Sequence, residues 1–183
     1  MSNLYSRGLD ELKDVFARLD DAQVNAAVNE IATARRIACY ACGREKLQIM
    51  GFCMRLYHMG LDVAMTGDMT TPPLGKDDLF LAVCGPGEVS TTSALVNVAH
   101  KAGARTQVVT AEPEGITSRL ADFTLLLPAQ TMANHRGAAP SVLPMGSLFE
   151  GALFMLFEVM VLKLMALKHI TSDDMRQRHT NLE

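Results

Sequence analysis

No Lys- or Arg-rich block occurs in this 183-residue chain, and its formal net charge is -3. Without a basic field, neither nucleic acid nor an anionic lipid surface is an expected partner. The opening segment, MSNLYSRGLDELKDVFARLDD, carries charge throughout and lacks the apolar core of a signal peptide, so a cytosolic location is expected. Only Ser147 to Lys168 is apolar over a membrane-spanning length, and Glu150, Glu158 and Lys163 interrupt it. A helix buried in a core or a subunit interface is the better reading, and a homo-oligomer, dimer or tetramer, is expected. Cysteine occurs only at 39, 42, 53 and 84, read as reduced thiols. Cys39-x-x-Cys42 has no second Cys/His pair and lies along a strand, which favours core thiols over a metal or redox site. There is no internal repeat, low-complexity tract or dividing linker. With 49% apolar residues, the chain reads as one domain: N-terminal helices over 1–34, a sheet core over 35–128, and a helix and tail over 146–183.

What the sequence does contain is a regular alternation. Leu4, Leu9, Leu12, Phe16 and Leu19 recur at helical spacing, and Val24, Ala27, Val28 and Ile31 repeat the pattern after Asp20-Asp21. Strands are predicted at Ile37–Ala41, Leu61–Thr66, Leu79–Cys84, Arg105–Thr110 and Phe123–Leu127. Between them lie a helix through Leu47, Met50, Met54 and Tyr57 ended by Gly60, a helix over 90–102, and a short one near Ile116 to Leu120. Five strands alternating with helices predict an α/β fold, one parallel sheet covered on both faces. The Pro128–Pro144 stretch, with Asn134 and Gly137, is long enough to be a functional loop. His58 and His100 are placed at helix surfaces or boundaries, and His179 in a polar tail.

The richest segment is LFLAVCGPGEVSTTSALVNVAHKAG, residues 79–103. An apolar strand stops at Gly85-Pro86-Gly87, and a hydroxyl-rich segment then opens an amphipathic helix. Backbone N–H groups and the helix dipole favour an anion or an oxygen-rich ligand there. Gly85-x-Gly87-x-x-Ser90, with Glu112 after the next strand, is close to a dinucleotide fingerprint. Yet the turn follows the third strand, and Pro86 removes an N–H that pyrophosphate would use. A P-loop fails for want of Gly-Lys-Ser/Thr.

Ser147-x-x-Glu150 carries two readings. It fits a helix capping box, in which the carboxylate satisfies backbone donors. Its context, Leu143-Pro-Met-Gly-Ser-Leu-Phe-Glu-Gly, also sets a carboxylate at the start of an apolar helix after a long loop, where burial would tune it as a base.

Taken together, the GR turn after the first strand, Gly67-Asp68-Met-Thr-Thr71-Pro72, Cys84-Gly-Pro-Gly-Glu88, Leu143-Pro-Met-Gly-Ser-Leu-Phe-Glu150 and Met175-Arg-Gln-Arg-His-Thr-Asn-Leu-Glu183 resemble the 6-phospho-3-hexuloisomerase family of sugar isomerase (SIS) domains. The likeness covers nearly the whole chain, and the LPMG…FE segment and RHxNLE tail are its specific parts. It implies a flavodoxin-like, doubly wound sheet, a homotetramer, and conversion of 3-hexulose 6-phosphate to fructose 6-phosphate, with no metal or organic cofactor. It implies Glu150 as the base of an enediol mechanism. His179 would assist ring opening or proton transfer on oxygen, in its own or a neighbouring subunit's site, or else fasten the tail.

The same resemblance exposes departures. The family holds phosphate with a GRSG turn and an SGSGxT turn; here they read Gly43-Arg44-Glu45-Lys46 and Cys84-Gly85-Pro86-Gly87-Glu88-Val89. Glu45 places negative charge where a dianion should sit, at a cost of a few kcal/mol for a separation of about 4 Å in a partly buried site. Ser90, Thr91, Thr92 and Ser93 are the substitute hydroxyls if the helix starts a turn later. Two functions follow: an isomerase of a sugar phosphate or another polar sugar, or a catalytically altered SIS module that binds a sugar for sensing or assembly. Retention of Glu150 favours the isomerase.

Overall fold

The computed structural model describes residues 3–134 and 140–182. Two helices lead the chain, α1 (Leu4–Ala17) and α2 (Asp21–Thr33). Their N-termini are capped by Asn3, which accepts from the Ser6 N–H at 2.9 Å, and Asp20, which accepts from the Ala22 N–H at 2.9 Å. The strands follow as β1 (Ile37–Ala41), β2 (Val63–Met65), β3 (Leu79–Val83), β4 (Arg105–Thr110) and β5 (Phe123–Leu126). All pair in parallel in the order β2-β1-β3-β4-β5, the doubly wound, flavodoxin-like arrangement that was expected. The helices between and after them are α3 (Glu45–His58), α4 (Ser90–Lys101), α5 (Ile116–Leu120), α6 (Ser147–Lys168) and α7 (Ser172–Gln177).

Strand alternation builds the two faces. Ile37, Cys39, Leu79, Leu81, Val83, Val109 and Leu125 point into a core closed by α1, α2, α3 and α6. Ala38, Phe80, Ala82, Cys84 and Val108 point the other way, against Val96 and Ala99 of α4. β3 lies at the centre and is buried at all five positions, hence its unbroken apolar run. Parallel pairing puts the carboxyl ends of β1 and β3 side by side, with Ala41 opposite Val83. No helix of the described residues is long and apolar enough to cross a membrane.

Several sequence expectations are corrected. Edge strand β2 is shorter than Leu61–Thr66, because Leu61 N–H bonds to Leu56 O at 3.1 Å and closes α3. Gly60, at φ +83°, is the left-handed residue of that stop. Leu47, Met50, Met54 and Tyr57, whose spacing marked the helix in the sequence, are exposed on α3. The buried face is Ile49, Phe52, Cys53 and Leu56, and Phe52 stacks on Phe157 of α6 with ring centroids 4.3 Å apart. The helix is apolar on two sides, so periodicity alone does not tell which stripe packs inward. His58 is buried, not at the surface, whereas His100 is exposed and lies 3.6 Å from Asp122. The tail holds an unforeseen helix, α7, fixed by a capping box between Thr171 and Asp174.

Candidate active site

Three chain segments meet beyond the carboxyl ends of β1 and β3, the usual ligand position in a doubly wound sheet. The first is Cys42-Gly43-Arg44, where Gly43 adopts φ +57° and the chain enters α3 at Glu45. The second is Cys84-Gly85-Pro86-Gly87, closed by the Gly87 N–H to Cys84 O at 3.0 Å. The third is the 3-10 turn Pro144–Gly146, from which α6 starts at Ser147. Together with Thr131 and Met132 of the long loop, they enclose a cavity of about 320 Å³.

Glu150 lines this cavity from the first turn of α6. Its side chain is only 12% exposed, and its Oε2 lies 2.8 Å from Arg44 Nη2. The contact is an ion pair outside hydrogen-bond geometry, so Oε2 is buried with no hydrogen-bond donor among the described residues. The capping-box reading fails here: Gly146 is the N-cap, Ser147 lies within the helix, and no side chain caps the helix. Glu150 is thus turned to Arg44 and the cavity, not to its own backbone.

Glu45 lies across the same cavity. The Gly85 N–H donates to both of its oxygens, at 3.2 Å to Oε1 and 3.1 Å to Oε2. Burial raises its pKa to about 7, the Gly85 N–H opposes that rise, and the charge of Glu150 adds to it. A β-carbon at Gly85 would overlap Glu45 Oε1 and come within 2.9 Å of the Phe149 ring. Only glycine lets these groups approach so closely.

The remaining expected residues separate. Gly43, Arg44, Pro86 and Val89 line the cavity beside Glu45 and Glu150. Cys84 is buried beneath it, bonded to Thr117 Oγ1 at 3.6 Å, and burial raises its pKa to about 11. Glu88 is exposed. The four hydroxyls do not act as a set: Ser90 and Thr91 are exposed at the opening turn of α4, outside the cavity lining. Thr92 is buried 3.9 Å from Cys42 Sγ, and Ser93 pairs with Thr117 at 2.7 Å. Glu112, weighed as a ribose ligand, instead accepts from Asn134 at 3.2 Å.

His179 lies elsewhere. Its ring centroid is 5.1 Å from that of His58, in a separate cavity with Arg55, Glu158 and Met175. Glu158 is eight residues along α6 from Glu150, about 12 Å on a straight helix. Within one chain, His179 and Glu150 therefore line different cavities. Phe149, Thr131, Met132 and Met145 complete the Glu150 cavity and were missed by the sequence reading. For Thr131 and Met132 the signal was the length of the Pro128–Pro144 stretch, and for Met145 and Phe149 it was the 143–150 segment around the candidate base; residues 135–139, Gly137 among them, lie outside the described residues.

Among the described residues, no group of three or more His, Cys, Asp or Glu could hold a metal ion. No protein-family model matches the chain. A hypothetical protein of Methanococcus jannaschii, whose structure was described as inferring a function of 3-hexulose-6-phosphate isomerase, superposes with a TM-score of 0.83. It is 23% identical, and the alignment covers 96% of this chain and 98% of that one. The same fold recurs in the sugar isomerase domain of an RpiR transcription factor from Sphaerobacter thermophilus, with a TM-score of 0.73 at 14% identity over 96% of this chain and 93% of that one. The chain is also 33% identical over 178 residues to the 3-hexulose-6-phosphate isomerase of Bacillus subtilis, covering 96% of this chain and 95% of that one. The enzyme of the same name from Mycobacterium gastri is 34% identical over 183 residues, covering 100% and 92%. The chain belongs to the 3-hexulose-6-phosphate isomerase family.

Proposed function

We propose that the protein interconverts 3-hexulose 6-phosphate and fructose 6-phosphate through an enediol, with Glu150 as the base. The observation that carries this reading is the buried Glu150 carboxylate, turned into the cavity and held by Arg44. The carboxylate takes the proton from the carbon beside the ketone and returns it to the neighbouring carbon. Phe149, Met132 and Met145 supply apolar wall, which strengthens the electrostatics of the step. The phosphate lies toward the opening turn of α4, where Ser90 and Thr91 are exposed and no acidic residue stands in the first turn. Arg44, which lines the cavity, supplies compensating charge.

The active form is a homo-oligomer in this reading. Leu47 and Met54 of α3 and Phe154 of α6 border one shallow groove, an apolar surface suited to another copy of the chain.

One observation favours a second reading, an unphosphorylated polar sugar: Glu45 already occupies the Gly85 N–H. The readings separate in one assay. The phosphosugar isomerase is stabilised thermally by fructose 6-phosphate but not by fructose, and it incorporates solvent deuterium at carbon 3 of fructose 6-phosphate. Stabilisation by fructose alone, without exchange into the phosphate ester, would reject it.

A further inference from the structure

We propose that Glu45 is a second catalytic residue, moving protons on the substrate oxygens while Glu150 moves the proton on carbon. This rests on the isomerase reading above. The isomerisation needs two kinds of transfer: hydrogen moves from carbon 2 to carbon 3, and a hydroxyl proton moves from oxygen 2 to oxygen 3. One carboxylate at the carbons leaves the oxygens unserved. The same cavity is lined by a second carboxyl, Glu45, and the Gly85 N–H fixes its position.

The step balances. Glu150 takes the carbon-2 proton, the C–H pair becomes the C=C bond, and the C=O pair moves onto oxygen 3, which takes the Glu45 proton. The neutral enediol then gives its oxygen-2 proton to the Glu45 carboxylate as C=O forms at carbon 2, and carbon 3 takes the proton from Glu150. Both carboxyls return to their starting states with no other reactant.

The surroundings suit an acid opposite a base. Glu45 faces Glu150 from α6, with Arg44 at its own helix start and the Cys42 and Cys84 thiols at the strand ends. Burial and the Glu150 charge keep its proton to about 7, while Arg44 stands against Glu150. Two carboxyls in unequal environments can take opposite roles.

The test compares wild type with Glu45→Gln and Glu45→Ser over pH 5–9, with fructose 6-phosphate as substrate. Folding is monitored by melting and circular dichroism. The expected result is a fall in kcat of about 100-fold in Glu45→Gln with little change in KM. In addition, wild-type activity declines as pH rises through about 7, and both variants lose that limb. The second ionisation of the substrate phosphate, near 6, persists in the variants and is so distinguished. Wild-type kcat with an unchanged profile in either folded variant overturns the role of Glu45. A wild-type protein without turnover overturns the isomerase reading itself.

Discussion

Arg44 Nη2 lies 2.8 Å from Glu150 Oε2, joining the N-cap of α3 to the first turn of α6 at the cavity. The guanidinium is 65% exposed and the carboxylate 12%, so the pair acts mainly to orient an otherwise buried charge. Arg44→Ala is expected to lower kcat by about 10- to 100-fold through misplacement of Glu150. Arg44→Lys should recover only part, because it keeps the charge but its shorter side chain falls short of the position that Nη2 holds beside Glu150. Steady-state kinetics of the two variants check this; equal activity in Arg44→Ala and wild type would refute it.

Glu45 makes stability depend on pH. Its proton is kept to about 7 in the folded protein, against an ordinary value of 4.5. Below 4.5 both folded and unfolded chains hold the proton, and between 4.5 and about 7 only the folded chain does. Stability therefore falls as pH rises through that window, by on the order of 3 kcal/mol. Glu45→Gln removes the dependence, so its Tm relative to wild type should be several degrees higher at pH 8 than at pH 4.5. Parallel Tm curves would contradict the assignment.

Gly85→Ala tests the packing of the second turn. The new methyl would overlap Glu45 Oε1 and press on the Phe149 ring from 2.9 Å. A loss of about 1–3 kcal/mol is expected, read as a lower denaturation midpoint at unchanged m-value.

His179→Ala separates a fastening role from a catalytic one. The ring packs on buried His58 in a cavity distinct from that of Glu150. The fastening role predicts a lower Tm with kcat within about twofold of wild type. A large kcat loss at unchanged Tm would instead assign His179 to a neighbouring subunit's site.

Phe154→Asp tests the assembly surface. Phe154 is 53% exposed beside exposed Leu47 and Met54. In the proposed homo-oligomer, a charge there should lower the sedimentation coefficient toward that of a monomer without lowering secondary-structure content. An unchanged coefficient would exclude this face from the interface.

Much of the fold is legible in the chain, because alternating apolar strands and capped helices leave local signals. β1, β4, α5 and α6 have the predicted limits, and β3 and β5 lie within a residue of theirs. The signal failed where two faces compete. α3 is apolar on both sides, and only its packing on Phe157 reveals which side is inside. Glu150 was legible as a candidate from its loop-then-helix context, but the choice between cap and cavity depended on Gly146 serving as the N-cap. Glu45 read as a defect in a phosphate turn. Its contact with Gly85 joins residues 40 positions apart, which no local pattern encodes. The same holds for His58 and His179, brought together by α7 folding back on α3.

In the proposed reaction Glu150 takes a proton from substrate carbon, and deuterium exchange into carbon 3 of fructose 6-phosphate measures that step directly. Glu150→Gln keeps the size and burial of the side chain but removes its basicity. The account predicts loss of exchange by at least about 100-fold while fructose 6-phosphate still raises the melting temperature. Exchange at the wild-type rate in the folded variant would contradict it.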